Sequence, residues 1–335
     1  MTLPQSRRFR APGKLMLAGE YSVLAPGGEA LALAVELGVE VEAVPRPSWE
    51  LRRQESGIAW HPGEPVPEAL RFAHAAWEEA RTVLGEPPPH ALSSRGHDRR
   101  WSDGTKPGLG GSASATVAVT AAMQALAGGS LEGDGRERLL SVALRAHQRA
   151  QGGRGSGYDV ATATLGGLVR FRGGAGSVAP RASVLAWPEG LSLLAGYSGS
   201  SAPTGPLLSH VASIAGPLDL EADLHSLAAP VSGLIEAFAR GDGAAVLEGA
   251  RACHRALRAW DRLHGLGLVT GELARLVTLG EEAGAACKIS GAGGGDSVIA
   301  LAESQALLEE VARRWQAAGF LAFWPPATAD GVREV

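Results

Sequence analysis

Three lysines define the chemistry to be explained. Lys14, Lys106 and Lys288 are the only lysines among 335 residues, and arginine supplies every other permanent side-chain cation. Each lysine lies close to a glycine, in Pro12-Gly13-Lys14, Lys106-Pro107-Gly108 and Lys288-Ile-Ser-Gly291. Lysine is a compact point charge suited to single phosphate oxygens, whereas arginine presents a flat two-pronged fork. This placement points to ammonium groups needed at glycine loops, against the alternative of chance in an arginine-rich chain. The middle loop runs Lys106-Pro-Gly-Leu-Gly-Gly-Ser-Ala-Ser-Ala-Thr116 into an alanine-rich helix. Its glycines let a backbone approach a bulky ligand, and free N–H groups at a helix start favour phosphate. Ser112 adds a hydroxyl within reach of a phosphate or a phosphate-bound Mg²⁺. A plain tight turn that packs a helix is the competing reading of that loop. Two further features belong with it. Gly291-Ala-Gly-Gly-Gly295 is a second glycine loop, and Asp159 follows Gly155-Ser-Gly-Tyr158. Asp159 reads as an active carboxylate or as a helix N-cap.

These residues need elements to hold them. Arg8–Ala11 reads as a strand leading to Lys14, residues 30–35 as a buried strand, and Val39–Val44 as an alternating, half-exposed one. Residues 48–52 read as the hairpin partner of that strand, 55–67 as loop, and 93–105 as a polar stretch. A helix over Pro67–Leu84 carries the stripe Ala69, Phe72, Ala76, Ala80 and Val83. The central helix spans 113–126 and stops at Gly128-Gly129. A second, from Glu137 to Ala150, carries Leu140, Ala143, Leu144 and His147 on one side. His147 is either a site residue or a satisfied core histidine. Strands at 168–172, 191–197, 297–301 and 320–324 alternate with helices, including one with Val246, Ala250, Cys253, Leu257 and Trp260 on a core stripe. Strands and helices without a long parallel run indicate an α+β fold. The boundary falls in the loose stretch 179–190, giving domains 1–187 and 188–335.

Composition excludes several classes. A net charge of −4 offers no electrostatic case for nucleic acid or an anionic membrane. Cys253 and Cys287 form neither a disulfide framework nor a metal cluster and read as buried small side chains in a reducing, cytoplasmic setting. The basic N-terminus has no apolar run after it, and no window is long enough to span a bilayer. The segment Gly108-Leu-Gly-Gly-Ser-Ala113 also fits a dinucleotide-binding pattern, but that pattern needs an apolar strand before it. Arg99-Arg-Trp-Ser-Asp-Gly-Thr105 stands there instead.

Taken jointly, the motifs resemble the GHMP kinase superfamily. Ala11-Pro-Gly-Lys-Leu-Met-Leu-Ala-Gly-Glu-Tyr-Ser-Val-Leu24 is similar to its first motif, Gly108–Ser114 to its second, the ATP phosphate loop, and Lys288–Ser297 to its third. Within the superfamily, Gly19-Glu-Tyr21, Gly155-Ser-Gly-Tyr-Asp-Val160 and Gly-Gly-Gly-Asp296 most resemble the phosphomevalonate kinase branch. The resemblance implies a two-domain α+β fold: an N-terminal α/β domain of ribosomal-protein-S5 type, then a ferredoxin-like domain. It implies ATP and Mg²⁺, a phosphomevalonate acceptor, and a monomer or homodimer. Catalysis is carried over to Lys14 and Asp159. ATP binding falls to Lys106, Pro107, Gly108, Leu109, Gly110, Gly111, Ser112, Ala113 and Ser114, with Ser112 at the metal. Acceptor binding falls to Glu20, Tyr21, Ser22, His147, Ser156, Gly157, Lys288, Ser290, Gly291, Ala292 and Gly293. Two departures stand out: Gly111-Ser112 replaces a pair of serines, and Gln148 stands where mevalonate kinases place a Mg²⁺-binding Glu. An alcohol acceptor in the same superfamily is the nearest alternative, and a non-catalytic sensor on the same fold a more distant one.

Overall fold

The computed structural model describes residues 6–96, 108–153, 155–174, 177–200, 207, 209–211, 213 and 217–335, with side chains from 222 onward in the last segment. The first sheet contains β1 (Arg7–Ala18), β2 (Glu29–Pro45), β3 (Glu50–Arg53), β4 (Ile58–Trp60), β5 (His90–Gly96), β6 (Leu168–Arg172), β7 (Arg181–Leu185) and the short C-terminal β12 (Arg333–Glu334). The second is a four-stranded sheet in the order β11-β8-β10-β9, made of β8 (Ser192–Tyr197), β9 (Ala286–Ser290), β10 (Ser297–Ala302) and β11 (Leu321–Phe323). The helices are α1 (Arg71–Leu84), α2 (Gly111–Leu126), α3 (Asp134–Ala150), α4 (Tyr158–Leu165), α5 (Pro217–Arg240), α6 (Gly243–His264), α7 (Gly271–Glu282) and α8 (Gln305–Ala317). The α+β expectation holds, with α1–α4 on one face of the first sheet, α5 and α6 between the two sheets, and α7 and α8 on the far face of the second.

Several local expectations change. The stretches 30–35 and 39–44 are one strand, β2, which runs through both. Its partners are β1, β5 and β6; residues 50–53 pair with β4 and β5 instead of folding back on β2. The polar run after Ser93 begins inside β5, because His90–Gly96 needs only one covered face and can turn serines to water. The buried face of α1 is Ala73, Ala76, Trp77 and Ala80, while Ala69 and Val83 are exposed. The Trp indole covers more area than the Phe72 and Val83 side chains, and it rotates the helix toward itself. Trp77 packs edge-on against Trp49 and Trp60. On α3, Leu139, Val142, Ala143, Ala146 and His147 are buried, with Leu140 and Leu144 at the edge.

One irregularity positions the site. The β1–β2 register shifts between Ala11 and Gly13. A Cβ at Gly13 would lie 2.0 Å from Leu37 O, and one at Gly38 would lie 2.0 Å from Ala11 O, so both positions need glycine. Before the bulge, Phe9 and Ala11 face the core with α2; after it, Met16 packs with Ala161 of α4 while Leu15 and Leu17 turn to the opposite face. The bulge therefore brings even-numbered Lys14 to the helix side of the sheet. On the opposite face, Leu15, Leu17, Leu31 and Leu33 meet Leu234, Phe238, Val246 and Ala250 from α5 and α6. That helix pair also packs on Ala195, Ile299 and Leu301 of the second sheet, so one apolar layer joins the two sheets. The far side of the second sheet is covered by α7 and α8, where Trp315 Nε1 donates to Leu276 O at 2.8 Å. Both cysteines are buried, and burial pushes the Cys253 thiol up to about 12 and Cys287 up as well. They are packing residues, as their apolar surroundings indicate. Among the described residues, no helix is long and apolar enough to cross a membrane.

Candidate active site

The second glycine motif, the expected phosphate loop, is tied directly to β1. Lys14 N donates to Leu109 O at 2.8 Å, and Ser114 Oγ donates to Pro12 O at 2.7 Å. Gly110 adopts φ 82 at the N-cap of α2, a left-handed conformation that glycine reaches without strain, and the helix starts at Gly111. Leu109 and Ala113 are buried anchors on either side of the turn. Ser114 is fully buried and braces the loop, so it supports the expected ATP site from beneath instead of facing it. The hydroxyl that turns outward is Ser112. Lys106, Pro107 and Arg154 lie outside the described residues.

Lys14 lies across this loop. A Cβ on Gly110 would meet Lys14 Cγ at 2.9 Å, so the lysine stem rests on that glycine. Its ammonium donates to Gly108 O at 3.3 Å and stands 5.7 Å from the centre of the Tyr158 ring. Burial acts to lower the Lys14 pKa, but Tyr158, Asp159 and Asp296 together outweigh it and move it up. The ammonium is thus held charged. Burial, followed by the neighbouring carboxylates against the opposing pull of Lys14, moves the Tyr158 phenol up.

Asp159 is the second residue of α4, and Gly157, at φ 89, holds the N-cap position. The N-cap alternative for Asp159 is therefore replaced by a first-turn position, where a carboxylate suits the helix dipole. One oxygen accepts from Val160 N at 2.9 Å; the other is 4.0 Å from His147 Nε2. His147 Nε2 also lies 3.4 Å from Ser112 Oγ. The ring is 2 % exposed and stacks on Phe72 at 5.1 Å, so His147 is a core histidine whose Nε2 faces Ser112 and Asp159. Two clefts flank this group. One, of about 390 Å³, is lined by Phe72, Ser94 and Gly108–Ser112; the other, of about 510 Å³, by His147, Gln148, Ser156 and Gly157.

The third motif arrives from the second sheet, and its lysine behaves differently. Lys288 lies on β9, fully buried, with its ammonium paired to Glu20 and donating to Ile289 O at 2.6 Å. The expected acceptor contacts of Lys288 and Glu20 are thereby corrected: each neutralises the other inside the protein, and neither charge reaches a cleft. Ser290 donates to Met16 O at 2.8 Å, and Tyr21 OH to Ala292 O at 2.5 Å. Ser22 is also sealed, its hydroxyl without a partner among the described residues. The first and third motifs are thus sewn together beside the site. Gly291 and Ala292 keep partial exposure, whereas a Cβ at Gly293 would strike Leu268 O at 2.5 Å. Asp296 ends that turn with its carboxylate against Gly108, where a Cβ would lie 2.5 Å from Oδ2. The sequence reading gave Asp296 no role, although a carboxylate closing a glycine run was a visible signal. Tyr158 and Phe72 were missed likewise, since an aromatic near a motif looks like any core residue.

Among the described residues, no cluster of three or more His, Cys, Asp or Glu could hold a metal alone. The oxygen donors of Ser112 and Asp159 fit a hard cation that keeps waters and leans on substrate phosphates.

Comparisons with known proteins agree with this arrangement. Residues 104–167 match the GHMP kinases N terminal domain and residues 234–320 the GHMP kinases C terminal model. The chain is 32 % identical to the phosphomevalonate kinase of Streptomyces sp. (strain CL190), over 96 % of this chain and 97 % of that one. It is 28 % identical to the mevalonate kinase of Aeropyrum pernix, over 89 % of each. In fold it is similar to Streptococcus pneumoniae phosphomevalonate kinase in complex with phosphomevalonate and AMPPNP, with TM-score 0.81, 22 % identity, and coverage of 99 % and 100 %. The phosphate loop on α2, the lysine lying across it and the full-length likeness lead to one assignment: the chain belongs to the GHMP kinase family.

Proposed function

We propose that the protein transfers the γ-phosphoryl group of ATP to the phosphate of phosphomevalonate, giving the diphosphate. The observation that carries this reading is the convergence of Lys14, Ser112, His147 and Asp159 at the start of α2. The 32 % identity to a phosphomevalonate kinase over nearly the whole chain supports the choice of acceptor.

In this reading the donor phosphates lie on the N–H groups of Gly110–Ser112, where loop and helix dipole both favour anions. An oxygen of the acceptor phosphate forms the new bond to the γ-phosphorus, and the bond from that phosphorus to the ADP oxygen breaks. Such a transfer depends on positioning and charge neutralisation more than on covalent help. A phosphate monoester has its second pKa near about 6 and is mainly dianionic at neutral pH. It needs no base to remove a proton. Lys14 therefore draws together two anions, and Asp159 orients Lys14 and the acceptor's hydroxyl group. Ser112 and Asp159 would face a Mg²⁺ ion, which neutralises the donor phosphates when bound. Ser156, Gly157, Gly291 and Ala292 are assigned to the acceptor side, with Tyr21, Ser22, Ser290 and Gly293 beneath it.

The test is a coupled assay for ADP release across phosphomevalonate, mevalonate, homoserine and galactose, with product mass measured. Turnover with phosphomevalonate at least about tenfold above every other acceptor is expected, a margin of ~1.4 kcal/mol in transition-state binding. Turnover confined to mevalonate would replace this acceptor with an alcohol.

A further inference from the structure

The turn between β9 and β10 carries a feature that the transfer chemistry does not by itself require. It runs through Gly291–Asp296, and Asp296 takes φ 62, one of two non-glycine residues among those described with positive φ. Left-handed backbone costs a side chain about 1 kcal/mol or more and persists where surrounding structure enforces it. Here two hydrogen bonds do so: Asp296 N donates to Ser200 O at 2.8 Å, and Ser198 N donates to Asp296 O at 2.9 Å. The enforced backbone drives the carboxylate onto Gly108, at the entrance of the phosphate loop. Gly108 is also where the Lys14 ammonium is bound, through its carbonyl oxygen at 3.3 Å.

A carboxylate at the entrance of an anion site repels the ligand unless a cation stands between them. Lys14 is the cation beside it. We propose that Asp296 is a positioning residue of the active site, delivered from the second sheet to hold Lys14 and the start of the phosphate loop in register. Lys14 then stands between two carboxylates from different halves of the chain, Asp159 on α4 and Asp296 on the β9–β10 turn. The groups that act on its charge are Tyr158, Asp159 and Asp296. The proposal rests on the reading of Lys14 as the cation of phosphoryl transfer.

The experiment uses two variants and a readout independent of catalysis. Asp296→Asn keeps the side-chain shape and tolerance of positive φ but removes the charge. Asp296→Gly also removes the backbone strain. With only three lysines in the chain, protein labelled at the lysine side chains gives three resolvable ammonium signals, and Lys14→Met assigns one of them. Both Asp296 variants should lower kcat by about tenfold or more, the scale of a misplaced catalytic group, with little change in nucleotide KM. Both should move the Lys14 signal and lower its titration midpoint, and the Gly variant should melt no lower than wild type. In a Lys14→Met background, Asp296→Asn should cost less than about twofold, because effects through one group do not add. Either variant keeping wild-type kcat, an unmoved Lys14 signal, or kcat loss that merely follows a fall in melting temperature would overturn the proposal. An inactive wild type would instead refute the functional reading, and the Lys14 signal would still decide the role of Asp296.

Discussion

Lys14 and Lys288 sit in opposite surroundings. Lys14 lies partly buried across the phosphate loop, its ammonium on Gly108 O and between the fields of Asp159 and Asp296. Lys288 is sealed on β9 against Glu20 and Ile289 O, in a region that also holds the buried His254 and Cys253. Each lies within three positions of a glycine in sequence, and the two side chains are chemically identical. What separates them is the partner. Lys14 has carboxylates near it but no direct ion pair among the described residues, which leaves its charge available to a ligand. Lys288 has one carboxylate in direct contact and no solvent, which makes it a strut between the first and third motifs. A charge held at the edge of a cleft can stabilise a developing charge in the reaction, while a charge fully matched inside the protein cannot.

Breaking each lysine in turn should produce opposite signatures. Lys14→Met should lower kcat by about 10³-fold, as for loss of a preorganised charge at a transition state, with the melting temperature nearly unchanged. Lys14→Arg should recover little of that loss, because a planar two-pronged fork does not reproduce a compact point charge set on the single Gly108 carbonyl oxygen. Steady-state kinetics beside a melting curve would check both. Lys288→Met should do the reverse. It leaves the Glu20 carboxylate buried and unpaired, at a cost of about 3–5 kcal/mol in unfolding free energy. The double variant with Glu20→Gln should restore much of that stability, as read by denaturant unfolding. Equal losses of kcat and stability in both single variants would erase the distinction.

Much of this contrast was hidden in the sequence. The three glycine motifs, the phosphate-loop helix and Asp159 were legible because glycine, lysine and carboxylate at those spacings have few structural uses. The long β2 strand was not, since its halves differ in polarity: residues 30–35 are covered on both faces, while 39–45 alternate. The pairing of β2 with β5 bridges some 50 residues, and no local pattern encodes such a contact. Lys288 was misread for the same reason. Its partner Glu20 is 268 positions away, and only the packing of β9 beside β1 brings them together. Asp296 needed knowledge of backbone torsion, which a one-dimensional pattern of glycines does not contain.

A smaller effect sharpens the sealed side of the comparison. Burial, with Lys288 nearby, pushes His254 down to about 4 from an ordinary 6.5. The folded protein thus holds this histidine neutral, while the unfolded chain takes up a proton below about pH 6.5. Stability should be full above that pH and fall as pH drops toward 4. At pH 5 the loss amounts to about 2 kcal/mol. His254→Asn should flatten this part of the stability profile, measured by urea unfolding between pH 4 and 8. An unchanged slope would show that His254 is protonated in the folded state after all.

Whether the new bond joins two phosphates is the question closest to the central claim. Phosphorus NMR of the reaction of ATP with phosphomevalonate answers it directly. The account predicts that the single monoester resonance of the acceptor gives way to two mutually coupled resonances of a diphosphate, in step with ADP formation. An acceptor resonance that stays single, or a new uncoupled monoester signal when mevalonate is supplied in its place, would contradict it.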